Sequence, residues 1–295
     1  MLDLLTRLAG VPGPESDEQY AAEARDALER FCPARSLAFC PGCPHRASYW
    51  ALKKALALDG RDGVVFGDIG CYGLGVLPTG FRQSRTLHAM GSGIGMASGF
   101  GILGRLGATQ PAIALCGDST FYHAAIPGLI NGLHHRSNLL MIILDNSATA
   151  MTGFQPHPGS PVDAMGSSAP PIVLDDLCRS LGIPTVVRDP FDLEESCNTI
   201  YELLQRQGTN VLILRQECAL VRAKKNRTGR KVSIDQDRCL GDACGCNRLC
   251  TRVFRCPGLN WDPTRGKALI DEAICAGCGV CAQICPSGAI VVQGE

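Results

Sequence analysis

The sequence predicts an α/β protein in which a doubly wound parallel sheet is followed by a small α+β module rich in cysteine. Three observations carry this. Between residues 39 and 218, four short apolar runs (GVVFGDIG, PAIALCGD, NLLMIILDN and NVLILRQE) alternate with helix-like stretches. That is the pattern of parallel strands covered on both faces. From Asp235 onward the chain turns cysteine-rich and has no sizeable apolar core of its own, so it needs a bound staple. The 295 residues suffice for one large domain and one small one.

Residues 1–38 read as a lead-in helix. Ser16 and Gln19 have capping-box spacing, and Tyr20, Ala24, Ala27, Leu28 and Phe31 form a helical stripe suited to packing. The sheet domain is expected over residues 39–221, with glycines dense between 91 and 107 where backbones approach closely. Residues 222–234 follow as a basic linker holding Arg222, Lys224, Lys225, Arg227, Arg230 and Lys231. A solvated linker is the first reading of that run, and attraction of an acidic redox partner the second. The cysteine-rich module then occupies residues 235–295.

Composition excludes several classes. Lys plus Arg equals Asp plus Glu at 28 each, so nothing points to nucleic acid. No apolar run is long enough for a membrane span, and the N-terminus lacks the basic start and apolar core of a secretory signal. A cytoplasmic location is therefore expected. Seventeen cysteines without an export signal favour metal ligation over disulfides.

The stretch CAGCGVCAQICP sets Cys275, Cys278, Cys281 and Cys285 ahead of Pro286. This C-x2-C-x2-C-x3-C-P run is the bacterial ferredoxin pattern for a 4Fe–4S cluster, its fourth cysteine serving a second cluster. Gly277 and Gly279 let the loop curl around sulfide. A zinc site is the alternative, although zinc favours paired knuckles. The second loop is CLGDACGCNRLCTRVFRCP, with Cys239, Cys244, Cys246, Cys250 and Cys256. By the crossover logic Cys256 completes the cluster of Cys275, Cys278 and Cys281, and Cys285 completes the other. Three of Cys239, Cys244, Cys246 and Cys250 then serve, the spare one undetermined.

The stretch CGDSTFYHAAIPGLINGLHHRSNLLMIILDN ends one apolar run with Asp118 and the next with Asn146. In a βαβ unit both fall at the carboxyl edge of the sheet, where ligands bind. Hard oxygen ligands suit magnesium joined to phosphate oxygens. The spacing resembles the GDG-x-N motif of thiamine diphosphate enzymes, with Ser119 in place of the second glycine. In that family the Asp and Asn side chains hold magnesium with the backbone carbonyl two residues beyond the Asn, here Ala148. A turn Asp and a strand-end Asn of purely structural use are the alternative.

CPGCPHR, GDIGCYGLG, GDSTFYHAAIPGLIN, LDNSATAMTGFQPHPG, RQECAL and the two cluster runs together closely resemble the alpha subunits of indolepyruvate:ferredoxin oxidoreductases, in the 2-oxoacid:ferredoxin oxidoreductase family. The resemblance covers residues 38–290. It implies a thiamine diphosphate-binding sheet domain and a ferredoxin-like domain. It also implies CoA-dependent oxidative decarboxylation of an arylpyruvate such as indolepyruvate, with electrons passing through 4Fe–4S clusters to ferredoxin. Related enzymes hold a further cluster beside the thiazolium ring, which carries over to Cys40, Cys43, Cys71 and Cys218; structural thiols are the competing reading. That makes two clusters, or three with this one. Gly117, Asp118, Ser119, Asn146, Thr152 and Gly153 are the cofactor-binding candidates. His45 and His88 are candidates for catalytic contacts near the ring or substrate, or are core histidines.

The usual alpha subunit carries several hundred residues ahead of this region, including the domain that binds the aminopyrimidine and supplies its Glu. The expectation is that a separate subunit provides that domain, alongside the gamma-type or beta subunit of the oxidoreductase and ferredoxin as acceptor. The competing functions are the same chemistry on another 2-oxoacid and an iron–sulfur electron-transfer subunit with an inactive thiamine site. Exposed cubane clusters call for an anaerobic or oxygen-protected setting.

Overall fold

Each of the four apolar runs forms a strand of one parallel sheet. The computed structural model describes Gly10 and residues 18–32, 37–225 and 230–294. Contacts group the chain into two units, residues 1–37 and 38–295. In the first, α1 (Glu18–Phe31) is the expected lead-in helix, and Tyr20, Leu28 and Phe31 of its apolar stripe are exposed. Ser16 of the expected capping box lies outside the described residues.

The second unit opens with α2 (Pro44–Asp59), whose first helical position is a proline with no N–H to lose. Residues 44–52 of this helix are buried on every side, as for a helix enclosed between layers. The strands β1 (Val64–Gly67), β2 (Ser84–Leu87), β3 (Ala112–Gly117), β4 (Leu139–Asp145), β5 (Thr185–Arg188) and β6 (Thr209–Arg215) pair in the order β2-β1-β3-β4-β6-β5, all parallel. Every residue of β3 and β4 is buried, which requires cover on both faces. On one side α3 (Ser92–Ile102), the glycine-dense segment, packs on β1, β3 and α4 (Ile126–His134). On the other, α2 packs against α6 (Leu193–Leu204), which lies on β4 and β6. The helix α5 (Leu174–Ser180) precedes β5.

Between β3 and α4 the chain forms a helical turn, Asp118–Thr120, then a π turn, Phe121–Ala125. Pro127 has no N–H to return to the preceding turn, which accounts for the widened stretch ahead of it. The edge strands β2 and β5 had no counterpart among the predicted runs. Both are four residues long and lack a continuous apolar run, because an edge position leaves them only partly buried.

The expected linker is shorter than 222–234. Its first residues complete α7 (Ala219–Lys225) and its last four are β7 (Lys231–Ile234), antiparallel to β10 (Ile290–Gln293). Sequence reading missed this pairing because its partner is the far C-terminal strand. A second pair, β8 (Leu259–Asp262) with β9 (Lys267–Ile270), completes the cysteine-rich module. The module borrows its core: Val232, Phe254, Val280 and Ile284 cluster with Ala47 and Trp50 of α2 and with Leu193. Among the described residues, no helix is long and apolar enough to cross a membrane.

Candidate active site

Strand register brings the separated site residues to one edge. Gly117 pairs with Leu144, and Asp145 pairs with Arg215, so Asp118, Asn146 and the segment leading to Cys218 emerge side by side. The Cys218 N–H donates to the Asn146 carbonyl (3.0 Å) and the Gln216 N–H to that of Asp145 (3.0 Å), tying the two strand ends together. Cys71 follows β1 at the same edge. A cavity there is lined by His45, Cys71, Gly117, Asp118, Ser119, Asn146, Ala148 and Thr152, together with Tyr72, Met90 and Thr149.

Asp118 is 2% exposed. Its Oδ1 accepts from the Ser119 N–H (2.8 Å), while its buried Oδ2 makes no well-directed hydrogen bond, although His157 Nε2 lies 3.3 Å away. A second carboxylate, Asp145, lies close: burial raises its pKa, the negative charge of Asp118 adds to this, and Arg215 at 2.7 Å opposes it. Asn146 Oδ1 accepts from the Ala148 N–H (3.3 Å) and keeps a second lone pair. Ser147 between them takes the left-handed conformation (φ 59°), which turns the loop back over the strand end. A buried carboxylate oxygen without a well-directed hydrogen bond, an amide oxygen and a turning backbone suit a divalent cation. The residues present therefore fit magnesium.

Gly117 is required by close approach: a Cβ there would stand 2.9 Å from Tyr72 Cε1. The Tyr72 hydroxyl is held by Asp68, Thr120 Oγ1 (2.8 Å) and the Ile69 carbonyl (2.9 Å). Burial raises the pKa of Asp68, which also accepts from the Gly93 N–H at the start of α3 (3.3 Å). This pair fixes the β1 loop that presents Cys71. The Ser119 hydroxyl receives a hydrogen bond from Thr149 Oγ1 (2.9 Å), joining the Asp118 turn to the Asn146 loop. Ser119→Gly is expected to leave cofactor retention intact and to lower unfolding free energy by about 1 kcal/mol, the worth of one such bond. Denaturant unfolding beside thiamine analysis checks both halves of that statement.

His45 lies inside the cavity. Burial pulls its pKa down to about 4, so its ring is neutral, and its Nε2 meets Asn146 Nδ2 at 3.4 Å. His88 is exposed beyond β2 and does not line the cavity; the structure does not bring it to the site. Thr152 lines the cavity and donates to Gln155 Oε1 (2.6 Å), whereas Gly153 is exposed beside it. His157 was not singled out from sequence. It is buried with Nε2 3.3 Å from Asp118 Oδ2, its Nδ1 accepts from the Gly159 N–H (3.1 Å), and it stacks on Tyr122. The QPHPG turn was its only sequence signal.

Cys40, Cys43, Cys71 and Cys218 form one electrostatic neighbourhood. Burial raises each of the Cys40, Cys43 and Cys71 thiols, Cys43 to about 12 and Cys71 to about 11, and Cys218 raises all three further. Among the described residues no three His, Cys, Asp or Glu side chains close on a point as ligands of a single ion do. A cubane asks less, one thiolate at each iron. In the module, Cys239, Cys244, Cys246 and Cys250 line a cavity together with Cys285. Burial raises the Cys275, Cys278 and Cys281 thiols, and Cys256 contributes to the rise of all three. Cys285 thus lies with the cysteines of the first loop, and Cys256 beside those of the second. Gly277 (φ 66°) and Gly279 (φ 77°) adopt the left-handed turns that the curled loop needs.

Residues 68–214 match the family described as thiamine pyrophosphate enzyme, C-terminal TPP binding domain, and residues 268–291 match the 4Fe-4S binding domain family. The chain is similar to the "Indolepyruvate oxidoreductase subunit IorA" of Methanothermobacter marburgensis, with 39% identity over 99% of this chain and 45% of the relative. It is 37% identical to the protein of the same name from Thermococcus kodakarensis, over 100% of this chain and 46% of the relative. The chain thus spans less than half the length of these curated relatives. A solved structure, "2-oxoglutarate:ferredoxin oxidoreductase from Magnetococcus marinus with 2-oxoglutarate, coenzyme A and succinyl-CoA bound", shares the fold. Its TM-score is 0.52 at 15% identity, covering 64% of this chain and 67% of that chain.

Proposed function

Because the chain belongs to the 2-oxoacid:ferredoxin oxidoreductase family, as the counterpart of the C-terminal part of its indolepyruvate-type alpha subunits, we propose that it is the cofactor- and cluster-bearing portion of an enzyme that oxidatively decarboxylates arylpyruvates such as indolepyruvate. The products are the aryl-acetyl-CoA and CO2, with ferredoxin as electron acceptor. The observation that carries this reading is the single cavity in which Asp118, Asn146 and Ala148 meet Cys71 of the thiol group.

Asp118, Asn146 and the Ala148 carbonyl would hold magnesium and, through it, the diphosphate of thiamine diphosphate. Gly117, Ser119, Thr152 and Gly153 would border that diphosphate. Neutral His45 would offer the substrate end a ring nitrogen that does not compete for protons at neutral pH. Cys40, Cys43, Cys71 and Cys218 would ligate a proximal 4Fe–4S cluster, and the module's cysteines two more. When bound, thiamine diphosphate supplies the electron sink for decarboxylation and the clusters supply one-electron carriers. The Cys40, Cys43 and Cys71 thiols, raised by burial, would release their protons as iron is loaded.

The aminopyrimidine end of the cofactor calls for a further domain with its Glu, which we assign to a partner subunit, alongside the beta or gamma-type subunit. A second reading, an electron-transfer subunit with an inactive thiamine site, draws on Ser119. The bond from Thr149 occupies that hydroxyl within the loop, which favours the first reading. Iron, acid-labile sulfide and thiamine are to be measured on protein purified without oxygen, alone and with its partner. About twelve irons per chain and thiamine in the complex are expected. Clusters without thiamine in either sample would sink the catalytic reading and leave an electron carrier.

A further inference from the structure

Arg46 is the third residue of α2 and is 2% exposed. Its N–H donates to the Cys43 carbonyl (3.2 Å). Its guanidinium spans two segments, Nη2 donating to the Phe39 carbonyl (2.7 Å) and Nη1 to the Phe254 carbonyl (2.9 Å). The Phe39 and Phe254 rings flank it at 5.6 and 5.8 Å and keep water away. Its Nε is buried with no hydrogen-bond partner, and no carboxylate pairs with it among the described residues.

A buried cation without a counter-charge is among the costliest arrangements a fold can hold. The groups placed to offset it are sulfurs, Cys256 and Cys278 on one side and Cys43 and Cys40 on the other, which carry negative charge as thiolates. Phe39 directly precedes Cys40, and Phe254 lies two residues before Cys256, so the two hydrogen-bonded carbonyls belong to the two cysteine loops themselves.

We propose that Arg46 is a buried electrostatic bridge between two adjacent clusters, the one held by Cys40, Cys43, Cys71 and Cys218 and the one held by Cys256, Cys275, Cys278 and Cys281, and that it raises the reduction potential of both. The proposal rests on the cluster assignment above. A cubane with four thiolates is an anion whose negative charge grows by one on reduction, and net charge together with solvent exposure sets its potential. A fixed positive charge favours the reduced member of each couple. Exclusion of water magnifies the effect. One cation shared by two clusters moves both potentials in the same direction, so transfer between neighbours stays nearly level while both become better acceptors. Arg46 is a positioning residue in this sense: it acts on the electron through the clusters. Arg230 provides the contrast, because it donates to the Cys278 carbonyl (2.7 Å) but is exposed and screened by solvent.

The test is a redox titration followed by electron paramagnetic resonance on the complex purified without oxygen, with iron content measured first. In Arg46→Gln the reduction equilibria of the two flanking clusters should each fall about tenfold, about 59 mV for a one-electron couple. The cluster completed by Cys285 should stay put. Arg46→Lys should remain near the unaltered potentials, and Arg230→Gln should shift the nearer cluster by less than Arg46→Gln does. Unmoved potentials in a fully loaded Arg46→Gln protein would overturn the proposal. So would a lysine variant that shifts as far as glutamine, or three clusters moving together. If Arg46→Gln loses iron, Arg46→Met, which refills the stem's space, is read in the same way. Iron loss in both neutral variants with loading and potential kept in lysine upholds the role of the charge, whereas iron loss in all three makes Arg46 a structural clamp and refutes it. Absence of cluster signals from the unaltered complex would instead refute the cluster assignment.

Discussion

Asp118→Ala is expected to release thiamine diphosphate from the complex and to abolish turnover while leaving the iron content unchanged. The reason lies in what Asp118 lacks. Its Oδ2 is buried without a well-directed hydrogen bond, His157 Nε2 being 3.3 Å away, beside a second carboxylate whose pKa is already raised by burial and by Asp118 itself. Such an atom is costly unless a cation meets it. Loss of an outer-shell partner commonly costs 10–100-fold in metal affinity. Loss of the carboxylate itself should therefore weaken magnesium-dependent cofactor binding by more than about 100-fold. Asp118→Asn keeps the shape and removes the charge, and should fail nearly as badly. Calorimetric titration with thiamine diphosphate, with and without magnesium, reads this directly. Binding to Asp118→Ala within a few-fold of the unaltered complex would remove magnesium from this position.

The second large effect concerns the exchange of cysteines between the module's loops. Cys256→Ala and Cys285→Ala should each remove one cluster of about four irons, but not the same one. Cys256 raises the thiols of Cys275, Cys278 and Cys281, and Cys285 shares a cavity with Cys239, Cys244, Cys246 and Cys250. Double variants separate the assignments by non-additivity. Cys256→Ala with Cys275→Ala should lose no more iron than either alone, because both ligate one cluster. Cys256→Ala with Cys285→Ala should lose both clusters. Iron and sulfide analysis with paramagnetic resonance of the reduced protein gives the count. Equal losses in the two double variants would refute the crossover.

The central strands and the candidate ligands' common sheet edge were legible because they depend on local pattern. Continuous apolar runs mark strands buried on both faces, which holds for β3, β4 and β6, whereas β2 and β5 lie at the edges with mixed burial and left no such trace. β7 was read as linker because a strand of four residues has meaning only with its partner, β10, some sixty residues away. The same distinction divides the histidines. His45, His88 and His157 are equivalent in composition, yet α2 carries the first into the cavity, the chain after β2 leaves the second exposed, and the loop after β4 sets the third against Asp118.

The sequence by itself determined the fold class, and it named the two cysteine sets of the module and brought Asp118 and Asn146 to one sheet edge as candidate ligands. Each follows from residue type at a spacing, and spacing within one supersecondary unit is fixed by strand and helix geometry. Only the tertiary structure decided that Asp145 crowds Asp118, that Ser119 is bound by Thr149, and that Arg46 lies buried between two groups of cysteines. Those relations join segments as many as 208 residues apart. They depend on packing of α2 against the module and on strand register, and no local periodicity encodes either.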